Sequence, residues 1–275
     1  MLLLSEPSSA RLALLGVPLF VATLALLSPA WLVVGRIYPG RNVFFARWGF
    51  SHLLRVVALG VGIHFALNGL LPIGWTGAHP LLEACIRIAI VLGGMSGLCA
   101  YFAGRLEPEG ARTLGLQQDG QVAAAASGLF LYLATLPGVA GLALVSPWIL
   151  EQAGSAWEIQ SFMPQFLELE GAEVWLAAFL MVLVVPLFEE AIFRGFLQPL
   201  LVQNLREVLG VGVTSFLFAL LHGESMFLPI FGLSIVLGAT KLRTQRLFAV
   251  WLIHAFHNGL ALLLYTSFPA LRELL

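Results

Sequence analysis

The sequence predicts an all-α, polytopic membrane helix bundle with about eight membrane helices. Three observations carry this expectation. The 275 residues are 59% hydrophobic and 11% charged, where a soluble domain is usually about a quarter charged, so too few charges exist to cover a water-soluble fold. Apolar runs of about 18 residues or more recur along the chain, each long enough to cross a hydrocarbon core of about 30 Å. Finally, the basic residues sort into alternate connections between those runs.

The expected helices cover residues 12–35, 50–73, 80–103, 121–148, 173–203, 208–222, 226–241 and 246–266. The first run is too long for a signal-peptide core and is read as a retained helix. Arg36, Arg41 and Arg47 fall in the first connection, and Arg105 and Arg112 in the third. Arg206 falls in the fifth, and Lys241, Arg243 and Arg246 in the seventh. The second connection, around Pro72–His79, has no Lys or Arg; the fourth, 149–172, has none either and carries Glu151, Glu158, Glu168 and Glu170. The positive-inside rule reads this as eight passes with both termini outside. The sixth and seventh helices are short and meet at the polar His222-Gly-Glu-Ser turn. A re-entrant pair is therefore expected, dipping in from the cytoplasmic side and turning inside the protein, where non-helical backbone is tolerated. The 104–120 connection separates accessory N-terminal helices, residues 1–120, from a helix bundle spanning 121–275. Cys85 and Cys99 share one helix and sit about 21 Å apart along it, beyond disulfide reach. The net charge of −1 offers no basic surface to nucleic acid.

Ionisable groups inside membrane helices are costly and point to function. The densest set is Pro186-Leu-Phe-Glu189-Glu190-Ala-Ile-Phe-Arg194-Gly195. Neighbouring residues on a helix diverge by about 100°. Glu190 can pair with Arg194 at i, i+4, which leaves Glu189 pointing elsewhere without a local partner. A carboxyl group with no charge partner among apolar residues is poised to trade protons, as a general base or acid must. The plainer alternative is that both glutamates serve helix packing near the interface. His222 follows Phe218-Ala-Leu-Leu, and a lone histidine there is more often an interfacial or hydrogen-bonded core residue than part of a site. His254 and Asn258 share a helix face at i, i+4, with His257 nearby. The alternative for these is interhelical hydrogen bonding, often worth under about 1 kcal/mol per contact in membranes. Glu83 and Arg87 form another i, i+4 pair, read as a structural bridge near a helix start. His52, Arg55, His64 and Asn68 read as interface anchors.

Glu189-Glu190-x-x-x-Arg194, Phe218-x-x-x-His222 and His254-x-x-x-Asn258, in this order on successive apolar helices, resemble the three motifs of the CPBP family. That family comprises the type II CAAX prenyl endopeptidases and the bacteriocin-processing or immunity proteins, also called Abi proteins. The resemblance covers roughly residues 121–266. It implies hydrolysis of a peptide bond within the membrane boundary. Glu189 and His222 would activate water, and His254 and Asn258 would donate hydrogen bonds to the developing oxyanion. Such donors are worth about 3–4 kcal/mol each in comparable sites. Glu190 and Arg194 would form a supporting pair.

The expected mechanism needs no metal cofactor. The alternative is a divalent metal such as zinc held by Glu189, His222 and His254, with water as the fourth ligand. The expected partners are a hydrophobic or membrane-anchored peptide and the lipid bilayer, in the plasma membrane. Two other functions compete: a non-proteolytic scaffold or bacteriocin-immunity protein of the same fold, and a transporter using these polar residues. No internal repeat supports transport, and the acid/base set lies wholly in the second half of the chain.

Overall fold

The computed structural model describes residues 9–37, 46–106, 110–155 and 162–269. Arg41, Glu107, Glu158 and Arg272 lie outside the described residues. Among the described residues every regular element is helical: α1 (Ser9–Ile37), α2 (Phe50–Leu70), α3 (Pro80–Leu106), the short α4 (Gly110–Leu114), α5 (Gln121–Gln152) and the short α6 (Phe162–Phe166). A composite helix then runs over Ala172–Leu220, made of α7 (Ala172–Phe179), α8 (Val185–Glu190) and α9 (Gln198–Leu220) joined by π-helical stretches Leu180–Val184 and Ala191–Leu197. α10 (Phe227–Thr244) and α11 (Leu247–Ser267) complete the bundle. Seven of these stretches are long and apolar enough to cross a membrane.

The composite stretch is two helices. Arg206 has φ 67° and ψ 171°, a conformation no helix accommodates, and the chain folds back there into arms 172–205 and 207–220. The arms touch closely enough that a Cβ on Gly210 would sit 2.6 Å from the Val202 backbone. Counting them separately gives the eight expected helices, within a few residues of their expected ends.

Both π-helical stretches have a physical cause in the sequence. Each is followed directly by a segment with proline at its second position, Pro186 in α8 and Pro199 in α9. Proline donates no N–H, and its ring collides with the carbonyl four residues earlier. Widening the preceding turn relieves the collision and releases carbonyls to other partners.

Two expectations about the 207–244 region change. α10 continues to Thr244, 18 residues in all, because Lys241 is buried and donates from Nζ to the Thr113 carbonyl (3.3 Å) instead of ending the helix at a polar boundary. The turn around His222 is also not enclosed by protein: Leu221 is 74% exposed. It borders a cavity of about 330 Å³ lined by Ser146, Ile149, Leu150, Gly223, Glu224 and Phe227, toward the end of α5 that leads into the acidic fourth connection.

Contacts between connections agree with the charge alternation. The third and seventh meet: Leu247 N–H donates to Gly115 O (2.8 Å), Gln117 to Gln245 O (2.9 Å), and Arg246 pairs with Asp119 (2.9 Å). The second and fourth meet as well, with His79 N–H donating to Glu173 (3.2 Å) and its ring 3.5 Å from Glu168. Two of the basic connections thus meet each other, and two of the non-basic ones likewise.

The core does not stop at residue 120. Trp48, Val56, Cys99, Ala103, Phe193, Phe196, Leu200 and Phe218 belong to a shared buried cluster; Trp48 stacks on Phe196 (4.7 Å) and donates to its carbonyl (2.9 Å). Ser96 on α3 donates to Phe188 O (3.1 Å), next to the glutamate pair. Cys85 and Cys99 are both free and buried.

Glu83 and Arg87 form the expected bridge, at 2.7 Å, and do more than neutralise each other. Arg87 donates to the carbonyls of Leu67, Leu71 and Pro72, which closes the C-terminus of α2, while Glu83 accepts Gly74 N–H (2.9 Å). Arg87→Ala is expected to lower stability by about 2 kcal/mol through these charged hydrogen bonds, measured by thermal unfolding in detergent.

Candidate active site

Glu190 and Arg194 are completely buried and joined Nη1 to Oε1 at 3.0 Å. A charge pair withdrawn from both water and lipid needs its remaining hydrogen-bonding capacity met. Arg194 Nη2 meets part of it by donating to Ser234 Oγ on α10 (2.5 Å), the guanidinium lies 4.2 Å from the centre of the Phe218 ring, and among the described residues Arg194 Nε and Glu190 Oε2 have no hydrogen-bond partner. One turn further along, Gln198 donates to Gly238 O (2.9 Å). A Cβ on Gly238 would come within 3.0 Å of the Gln198 side-chain oxygen and 2.8 Å of Val211, so a glycine is what lets these helices close on the pair.

α11 adds the imidazole. His254 is 3% exposed and places Nδ1 2.7 Å from Glu190 Oε1 and Nε2 3.8 Å from Glu189 Oε2. Glu189 therefore has a partner, contrary to the expectation of an isolated carboxyl. The two side chains do diverge around their helix, but His254 sits in the angle between them and offers one ring nitrogen to each. The Glu190 oxygen already accepts from Arg194, so it accepts from His254 Nδ1–H too. Nε2 is then the ring nitrogen left facing Glu189.

The other motif residues stand around this core. His222 Nδ1–H donates to Phe218 O (2.8 Å), since a carbonyl only accepts, and this leaves Nε2 as its free nitrogen. Its ring packs on Phe218 (4.6 Å), whose ring in turn meets His254 edge-on (5.8 Å). Phe218 thus lies between the two imidazoles. Asn258 donates to Met181 O (3.1 Å), a carbonyl in the first π-helical stretch, and keeps a second N–H. His257 turns to α5, where buried Tyr132 meets its Nδ1 (2.9 Å).

Glu189, Glu190, Arg194 and His254 are hence one connected group, with His222 across the Phe218 ring and Asn258 one turn along α11. Ser234, Tyr132 and Trp251, which donates to Leu183 O, also shape the site and were not singled out from the sequence, whereas Phe218 was, as the first residue of its motif. A serine facing an Arg-bearing helix from within an apolar run, and an indole seven residues before Asn258, are the signals that pointed to two of them. Among the described residues no group of three His, Cys, Asp or Glu side chains is arranged to hold a metal ion; the ring nitrogens of His222 and His254 not given to Phe218 O or Glu190 are their Nε2 atoms.

Residues 171–260 match a family model, that of the type II CAAX prenyl endopeptidase Rce1-like family. The matched span contains all three motifs and every residue of the connected group. Neither a curated protein nor a solved structure matches the chain. The apolar helices support an integral, multi-pass membrane protein, and the matched third of the chain is similar to a family of membrane proteases.

Proposed function

We propose, on the premise of an Rce1-like type II CAAX prenyl endopeptidase segment at residues 171–260, that the chain is a glutamate-dependent intramembrane endopeptidase acting on a hydrophobic or membrane-anchored peptide. The observation that carries this reading is the buried His254 imidazole held between Glu189 and Glu190. In an apolar bundle such an arrangement is costly unless it is used.

In this reading Glu189, with His222 from the other side of Phe218, takes a proton from water as its oxygen bonds to the scissile carbonyl carbon. The carbonyl oxygen becomes an oxyanion, met by His254 Nε2 and by the Asn258 N–H not given to Met181. The proton then passes to the amide nitrogen as the carbon–nitrogen bond breaks, giving a carboxylate and an amine. Glu190, Arg194 and Ser234 touch no reacting atom; they fix His254 in its orientation. His254 is seven residues into α11, about 10 Å from the end that carries the basic connections. In this reading the cleaved bond lies beside His254, and the plasma membrane is the proposed location.

The test is release of a fragment from membrane-anchored peptides by the purified full chain in liposomes. Cleavage that survives a strong metal chelator and disappears in Glu189→Ala is the expected result. Equal protection of cells against a bacteriocin by wild type and Glu189→Ala, with no cleavage by either, would instead establish a scaffold or immunity role.

A further inference from the structure

One face of α11 makes three successive contacts with the helix that bears the glutamates. Trp251, His254 and Asn258 stand at i, i+3 and i+7, spacing that brings them to a single stripe. His254 reaches Glu190 and Glu189. On either side of it, Trp251 Nε1–H donates to Leu183 O (2.9 Å) and Asn258 Nδ2–H donates to Met181 O (3.1 Å). Both accepting carbonyls belong to the π-helical stretch Leu180–Val184, where the widened turn leaves carbonyls available to other helices. In a regular α-helix they would be occupied within the helix itself.

We propose that Trp251 is a positioning residue for the catalytic imidazole: its indole N–H, locked onto the π-turn at Leu183, sets the height and rotation of α11 and thereby holds His254 between the two carboxylates. Asn258 fixes the helix on one side of His254 only. The bond from Trp251, a rigid side chain seven residues earlier, fixes it on the other side, so that His254 is bracketed. Trp251 packs against Phe248 (5.5 Å), so the ring is braced on its own helix. The kinetic consequence rests on the peptidase reading, whereas the structural one does not.

The experiment compares wild type with Trp251→Phe, which keeps an aromatic ring and removes the donor, in the full-length chain labelled with 15N-histidine. The His254 ring-nitrogen resonances are expected to move in the variant, because the electrostatic environment of Nε2 depends on its distance from the Glu189 carboxylate, 3.8 Å in the wild type. Turnover is expected to fall about 10- to 100-fold, the scale of an ångström-level misplacement, with KM within about twofold. Unchanged His254 resonances overturn the inference whether or not the wild type cleaves. Unchanged kcat in a chain whose wild type cleaves overturns it as well. If Trp251→Phe does not fold, 3-benzothienylalanine at position 251, with sulfur in place of N–H and the same shape, is read by the same two criteria. A wild type that cleaves nothing sinks the peptidase reading alone, and the resonances still decide this one.

Discussion

Glu189→Gln is expected to lower kcat by about 10²- to 10⁴-fold, the range for loss of a positioned general base, and to leave the melting temperature close to wild type. The amide keeps the shape of the carboxyl but cannot accept the proton of attacking water. Stability is expected to hold because Glu189 contributes one contact, at 3.8 Å to His254, while the web of Glu190, Arg194, Ser234 and Phe218 is untouched. Rates measured on a cleavable peptide, beside thermal unfolding of the same preparations, separate the two effects. A variant that unfolds would show that Glu189 is a structural residue.

Arg194→Met is expected to do the reverse, destabilising the bundle by about 3–5 kcal/mol, the usual consequence of removing one partner of a buried ion pair. The loss strands the fully buried Glu190, deprives Ser234 of its donor and removes the cation from the Phe218 ring. The cost should be mostly that of an unpaired charge. Glu190→Gln combined with Arg194→Met is therefore expected to recover a large part of the stability without recovering cleavage, since His254 no longer has a carboxylate at Nδ1. Unfolding in detergent, followed by circular dichroism, measures both. Additive losses in the double variant would contradict a charge-pair account.

The helices and the Glu190–Arg194 pair were legible in the sequence because they depend on local facts: run lengths, loop charge and the i, i+4 spacing. His254 as the partner of Glu189 was not, since 64 and 65 residues separate them from it and only tertiary packing closes the gap. Reading the carboxylates around their own helix predicted their divergence correctly but could not show an imidazole filling the angle. The π-helical turns escaped for a related reason. Pro186 and Pro199 were visible, yet whether a proline kinks a helix or widens it depends on the neighbours that claim the released carbonyls, here Asn258 and Trp251. The enclosed re-entrant turn was inferred from the shortness of two apolar runs; the buried Lys241, tied to Thr113, lengthens the second, and the turn itself lies at the protein surface. The core that joins residues 46–106 to 192–218 likewise left no mark in a chain without motifs before residue 120.

The central claim is that water adds to a peptide carbonyl beside Glu189. Its most direct measurement is mass spectrometry of the products when the liposome-reconstituted chain cleaves a membrane-anchored peptide in ¹⁸O-enriched water. The account predicts a single cut, one heavy oxygen in the new C-terminal carboxylate, and no product from Glu189→Gln. Product formed equally by Glu189→Gln, or a carboxyl without the label, would contradict it.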